Sequence, residues 1–169
     1  FAMGRLKHLL AATRPPFLIL APACWLLGMG TAVWTSDEVN LIYAILALVG
    51  AICASISVNI LNEYFDFKSK LDFHTARTPF SGGSGTLPAH PGLASWALAL
   101  GLLTLLVTGA IGVFFLFVRG WALLPLGLLG LVIVGIYTPW LTKLPLLCLI
   151  SPGLGFGPLI VMGTDFVVT

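Results

Sequence analysis

Five polar side chains interrupt an otherwise apolar stretch of the chain: Ser55, Asn59, Asn62, Glu63 and Asp66. At 3.6 residues per helical turn they fall within an arc of about 100°, so a helix here carries all five on one face. Carboxylates and amide oxygens this close together form a hard-oxygen donor set. Such a set suits Mg2+, which keeps several waters and bridges a few carboxylates to phosphate oxygens. Asp72 adds a third carboxylate just beyond, and Lys68, Lys70 and Arg77 bring cations to the same stretch. Arginine is shaped for bidentate contact with phosphate, so carboxylates beside these cations read as a metal-diphosphate site. The plain alternative is an Asn/Asp helix cap with solvated cations, but Asn59 and Asn62 lie too deep in the apolar stretch to be caps.

Other candidates carry two readings each. The run Ser81-Gly82-Gly83-Ser84-Gly85 is either a cradle of backbone N–H groups for an anion or an ordinary turn, and it lacks the Lys and spacing of a P-loop. Tyr137 and Lys143, around Thr138-Pro139-Trp140, are either members of an interfacial aromatic and basic belt or site residues level with Asp66. Trp140 fits the belt better. Arg14, before Pro15-Pro16, is an interfacial anchor or a cation facing the site. His74 and His90 have no metal-ligand spacing and read as structural or solvated.

The elements that must position these groups follow from composition. Of 169 residues, 59% are hydrophobic and only 8% charged, with a mean hydropathy of +1.07, whereas a soluble domain is about a quarter charged. The chain is therefore expected to be all-α, a polytopic helical membrane protein forming a single membrane domain. A helix needs about 20 apolar residues to cross the hydrocarbon, which places spans near 16–35, 41–66, 92–117, 121–137 and 145–166. The second overruns at its polar end, which should face a polar cavity. The fifth, with Pro152, Gly153, Gly155, Gly157 and Pro158, should be kinked or partly broken. Residues 3–13 suit a short amphipathic helix on the interface.

Arg5, Lys7, Arg14, Lys68, Lys70, Arg77 and Lys143 fall on one side of this topology and only Arg119 on the other. By the positive-inside rule the N-terminus and the 67–91 and 138–144 loops are cytoplasmic. The eight Lys and Arg residues form no single basic surface, which argues against nucleic acid as a partner. Cys24, Cys53 and Cys148 are far apart within apolar runs and read as buried thiols, with neither zinc-site nor disulfide spacing.

The segment from Asn59 through Asn62, Glu63, Asp66 and Lys70 to Asp72 resembles the first aspartate-rich motif of the UbiA superfamily of intramembrane prenyltransferases. The six-residue step from Asp66 to Asp72, followed by Arg77-Thr78-Pro79-Phe80-Ser81-Gly82-Gly83-Ser84-Gly85, is most similar to the 1,4-dihydroxy-2-naphthoate branch of menaquinone biosynthesis. Arg14-Pro15-Pro16 before the first span and Tyr137-Thr138-Pro139 after the fourth resemble the family as well. The resemblance implies Mg2+-dependent transfer of a prenyl group from a polyprenyl diphosphate to an aromatic, quinone-precursor-like acceptor in the bacterial or archaeal inner (cell) membrane. It implies that Asn62, Asp66 and Asp72 hold metal directly or through water. Arg77, Lys143 and Lys68 would meet diphosphate, Arg14 more peripherally, and Tyr137 would stand near the departing allylic carbon.

The sequence departs from that pattern in three places. Glu63 stands where the family usually has Asp, and its part in metal binding is correspondingly less direct. Lys70 replaces an Asp found in members outside the menaquinone branch. The family has about nine membrane helices and a second aspartate-rich motif, whereas about five spans are expected here and the only acidic residue after Asp72 is Asp165. The chain is accordingly expected to be the N-terminal portion of such an enzyme, with the second motif outside it. Two other classes remain: a non-catalytic lipid-binding or membrane subunit with the same fold, which would bind diphosphate without turnover, and a small transporter, favoured by the polar face and the broken last helix. The transporter reading leaves the Arg77–Gly85 run unexplained.

Overall fold

The computed structural model of the chain describes residues 2–36, 38–73, 83–136 and 145–169. These fold into helices α1 (Ala2–Ala12), α2 (Pro15–Leu18), α3 (Leu20–Thr35), α4 (Leu41–Lys68), α5 (Thr86–Ala89), α6 (Ala94–Arg119), α7 (Leu124–Ile136), α8 (Pro145–Leu154) and α9 (Val161–Val168). No strand occurs among the described residues. Among the described residues, four helical stretches are long and apolar enough to cross a membrane: Pro15–Thr35, Leu41–Lys68, Pro91–Arg119 and Ile150–Val168. The protein is an all-α polytopic membrane protein. Trp121–Val134, within the stretch expected as a further span, is a shorter apolar helix, and residue 137 lies outside the described residues.

Local chemistry explains where these elements start and bend. Asn40 opens α4 by accepting the Tyr43 backbone N–H on its side-chain oxygen at 3.1 Å, satisfying one orphan donor of the first turn. From there α4 runs 28 residues, about 42 Å at 1.5 Å per residue. Since the hydrocarbon is only about 30 Å thick, the polar C-terminal turns of α4 have room to stand outside it. Between α8 and α9 the backbone stays helical across Pro152 and Pro158 by widening into a π turn at Gly155–Ile160. A π turn re-pairs the groups that proline leaves without an α-helical partner.

Helix contacts rest on small residues and hydroxyls, as expected where lipid removes the hydrophobic drive between helices. A Cβ on Gly101 of α6 would lie 2.7 Å from Leu61 Cδ2 of α4, and one on Gly28 of α3 would lie 2.5 Å from the Val161 carbonyl oxygen of α9. Ser57 donates to the Gly101 carbonyl at 2.9 Å, and Thr108 to that of Gly50 at 3.3 Å. Large side chains on the outer faces, such as Trp34, Leu106 and Phe117, are exposed and form the surface that acyl chains cover.

The buried apolar residues gather at the two ends of the bundle. One cluster joins Ala32, Ala44, Phe115, Leu123, Val167 and Val168. Arg119 closes that end, its Nε donating to the Val167 carbonyl at 3.0 Å and its guanidinium lying 5.5 Å from the Tyr43 ring centre. The other cluster joins Ala12, Ile60, Leu87, Leu93 and Ala97, with Leu9, Tyr64, Phe67 and Leu100 against it. The polar turns of α4 lie beside this second cluster.

Candidate active site

The site begins where α1 breaks. Arg14 precedes Pro15, whose ring disfavours the right-handed helical conformation for the residue before it, and Arg14 adopts left-handed φ and ψ of 54° and 66°. That costs about 1–2 kcal/mol for a residue with a Cβ. Pro15 and Pro16 then occupy the first positions of α2, where a missing N–H breaks no hydrogen bond. Asn59 Nδ2 donates to the Thr13 carbonyl at 2.9 Å, tying this corner to α4. Arg14 is thereby turned toward α4, with Nη2 3.5 Å from Glu63 Oε2. Among the described residues its buried Nε has no hydrogen-bond partner.

Glu63 is the hub of the site. It is fully buried at 0% exposure, which a carboxylate tolerates only when paired and hydrogen-bonded. Ser84 supplies both kinds of bond: its backbone N–H donates to Oε2 at 2.8 Å, and its Oγ lies 2.6 Å from Oε1. The Thr86 N–H donates to Ser84 Oγ at 3.1 Å, and Thr86 Oγ1 lies 2.7 Å from the same atom. Gly83 sits between two carboxylates with φ +73°; a Cβ there would lie 2.8 Å from Asp72 Oδ1 and 3.3 Å from Glu63 Oε2. Asp72, in the single helical turn Leu71–Phe73 after α4, is also buried.

Asn62 immediately precedes Glu63, and its Nδ2 donates to Asp66 Oδ2, one turn on, at 2.9 Å; both residues are half-buried. Arg14 and Glu63 lie close enough to act on the Asp66 charge. Ser55 turns back to the Ala51 carbonyl at 2.9 Å. The helix face read from the sequence thus divides: Ser55 and Asn59 serve the scaffold, Glu63 meets Arg14 and Ser84, and Asn62 and Asp66 pair with each other. Lys68 is exposed, its Nζ 5.9 Å from the Tyr64 ring centre. Lys70 turns the chain out of α4 at φ 64°. His90 packs on His8 with ring centres 4.0 Å apart. Cys24 and Cys53 are free thiols. Arg77, Ser81, Gly82, Tyr137, Thr138, Pro139, Trp140, Lys143 and His74 lie outside the described residues.

Among the described residues no three His, Cys, Asp or Glu side chains gather as a metal-binding group. The chemistry of Asn62 and Asp66, an amide and a carboxylate one turn apart, fits a hard cation that takes few protein ligands and fills its shell with water and phosphate oxygens. Sequence reasoning named Ser84 only within a glycine-rich run and missed its bonds to Glu63, and it missed Thr86 and the Thr13 carbonyl altogether. Ser84 is 21 residues from Glu63 in the chain and Thr13 is 46 from Asn59, so no local spacing links them.

The groups on and after α4 lie within a stretch that a family model recognises. The model of the UbiA prenyltransferase family matches residues 19–169. The chain belongs to the UbiA prenyltransferase family. The match takes in all of α4, Asp72 and the glycine-rich run, whereas Arg14 lies before it, so the place of Arg14 beside α4 rests on its contact with Glu63. Membership makes the chain a prenyltransferase in general, and its four apolar helices make it a membrane protein. No curated protein and no solved structure matches the chain.

Proposed function

We propose that the protein transfers a prenyl group from a polyprenyl diphosphate to an aromatic, quinone-precursor-like acceptor, with Mg2+ held by Asn62, Asp66 and Asp72. The observation that carries this reading is the Asn62-Asp66 pair set beside the ion pair of Arg14 with the buried Glu63 at one end of an apolar bundle. A hard-oxygen pair next to an arginine is what a diphosphate requires, and apolar helix faces suit a prenyl chain. The menaquinone-type branch, supported by the step from Asp66 to Asp72 and the Arg77–Gly85 run, is part of the proposal.

In the reaction the bond between the allylic carbon and the diphosphate oxygen breaks, and its electron pair leaves with the diphosphate. A ring carbon of the acceptor forms the new carbon-carbon bond and gives up its proton to solvent. Bound Mg2+ supplies charge neutralisation on the leaving group. Arg14, oriented by Glu63, would add its charge beside the same anion, an interaction that strengthens as charge develops. Arg77, Lys143 and Lys68 are proposed as further diphosphate contacts, and Tyr137 as the group facing the allylic carbon. The site end is assigned to the cytoplasm, because Arg5, Lys7, Arg14, Lys68 and Lys70 belong to it and Arg119 to the other end.

The test is calorimetric binding of farnesyl diphosphate, with and without Mg2+, to the wild type and an Asp66→Asn variant. Micromolar binding that requires Mg2+ and weakens at least tenfold in the variant is expected. Equal binding by the two proteins removes Asp66 from the site. Binding without turnover when both an aromatic acceptor and the second aspartate-rich motif are supplied favours the non-catalytic subunit instead.

A further inference from the structure

We infer that Glu63 is a positioning residue, a tether that fixes the glycine turn and Arg14 to α4, and that it does not ligate the metal. The role of the positioned groups rests on the function proposed above; the tether itself rests on geometry alone. Both oxygens of Glu63 are engaged: Oε1 with the Ser84 hydroxyl at 2.6 Å, and Oε2 with the Ser84 N–H at 2.8 Å and Arg14 Nη2 at 3.5 Å. The side chain is 0% exposed. A cation reaching it would have to displace Ser84 or Arg14, and either loss leaves a buried polar group unpaired. Asn62 and Asp66, half-buried on the same face, offer the accessible oxygens.

Side-chain length supports the same assignment. An aspartate at position 63 would fall short by one carbon-carbon bond, about 1.5 Å, and the contact to Ser84 would open beyond hydrogen-bonding range. The glutamate spans the gap to the turn, which lies so close that Gly83 has no room for a Cβ between Oε2 and Asp72 Oδ1. One residue therefore sets three things. It holds the turn backbone against Asp72, it places Ser84 to receive the Thr86 N–H, and it orients the Arg14 guanidinium through Nη2.

The test uses the purified chain in detergent, free of metal and substrate, with backbone amide exchange followed in the peptide spanning Gly83–Ala89. Glu63→Leu and Glu63→Asp should each exchange at least tenfold faster at Ser84, and Ser84→Ala at least threefold faster through the peptide, while Gly101–Thr108 of α6 stays at the wild-type rate. Should Glu63→Leu fail to fold, Glu63→Asp and Ser84→Ala carry the measurement. Wild-type exchange at Ser84 in Glu63→Asp overturns the tether. A second readout is the Mg2+ concentration giving half-maximal farnesyl diphosphate binding. It should move by the same factor in Glu63→Asp as in Ser84→Ala, since both release one tether, and a shift at least tenfold larger in Glu63→Asp than in Ser84→Ala would make Glu63 a ligand. If the wild type binds no farnesyl diphosphate, the proposed function fails while the exchange result still decides the tether.

Discussion

Replacing Gly83 by alanine probes the most crowded point of the site. The backbone there has φ +73°, and the added methyl would stand 2.8 Å from Asp72 Oδ1 and 3.3 Å from Glu63 Oε2. The left-handed conformation costs alanine about 1–2 kcal/mol. Pushing the Asp72 carboxylate aside is an overpacking term of about 1–3 kcal/mol. Together these give a loss of about 2–5 kcal/mol, or roughly 4–20 °C in Tm for a chain of this size. Cys24 and Cys53, free thiols in α3 and α4 that are half-buried, provide the assay: a thiol-reactive dye reports their exposure as the bundle opens on heating. Gly92→Ala is the control, since a Cβ there meets nothing within 4 Å, and it should stay within about 0.5 kcal/mol of the wild type. A Gly83→Ala protein melting with the Gly92→Ala control would refute the crowding of the turn between the two carboxylates, and with it the placement of Asp72.

Three further outcomes are expected. Asn59→Ala should lower stability by about 1–3 kcal/mol, because it strands the buried Thr13 carbonyl that Asn59 caps at 2.9 Å; an unchanged melt would mean that corner is held otherwise. Gly101→Val should part α4 from α6, since even a Cβ meets Leu61 Cδ2 at 2.7 Å and Ile60 Cγ2 at 2.9 Å, at a cost of about 1–3 kcal/mol. Retained stability with unaltered accessibility at Cys53 would contradict the close approach. Arg119→Met removes both the bond to the Val167 carbonyl and the cation over Tyr43, about 1–3 kcal/mol together. Its effect should appear in thermal melts and leave farnesyl diphosphate binding unchanged, because it lies at the opposite end from Glu63.

The candidate site was legible in parts. Helical periodicity put Ser55, Asn59, Asn62, Glu63 and Asp66 on one face, but periodicity is blind to what each side chain meets. A shared face therefore suggested a shared task, whereas Ser55 and Asn59 satisfy backbone carbonyls and Glu63 bonds to Ser84. Treating Ser81–Gly85 as either an anion cradle or a turn also left out Ser84 as a side-chain partner. Its acceptor lies across the fold, and a serine in a glycine-rich run carries no local mark of that contact.

What the sequence determines by itself is the solvent and the element type. Long apolar runs with 8% charged residues overall force the backbone to satisfy its own hydrogen bonds within the bilayer, and only helices do so segment by segment. The same rule makes the polar turns of α4 conspicuous, because unpaired polar groups are costly beside hydrocarbon. Which of those groups are scaffold and which can meet a ligand was decided only by tertiary structure. The break at Arg14-Pro15, the glycine turn and the end of α4 are far apart in the chain, and their contacts form only when α1, α4 and α5 pack together. Burial and pairing, unlike periodicity, are properties of that packed arrangement.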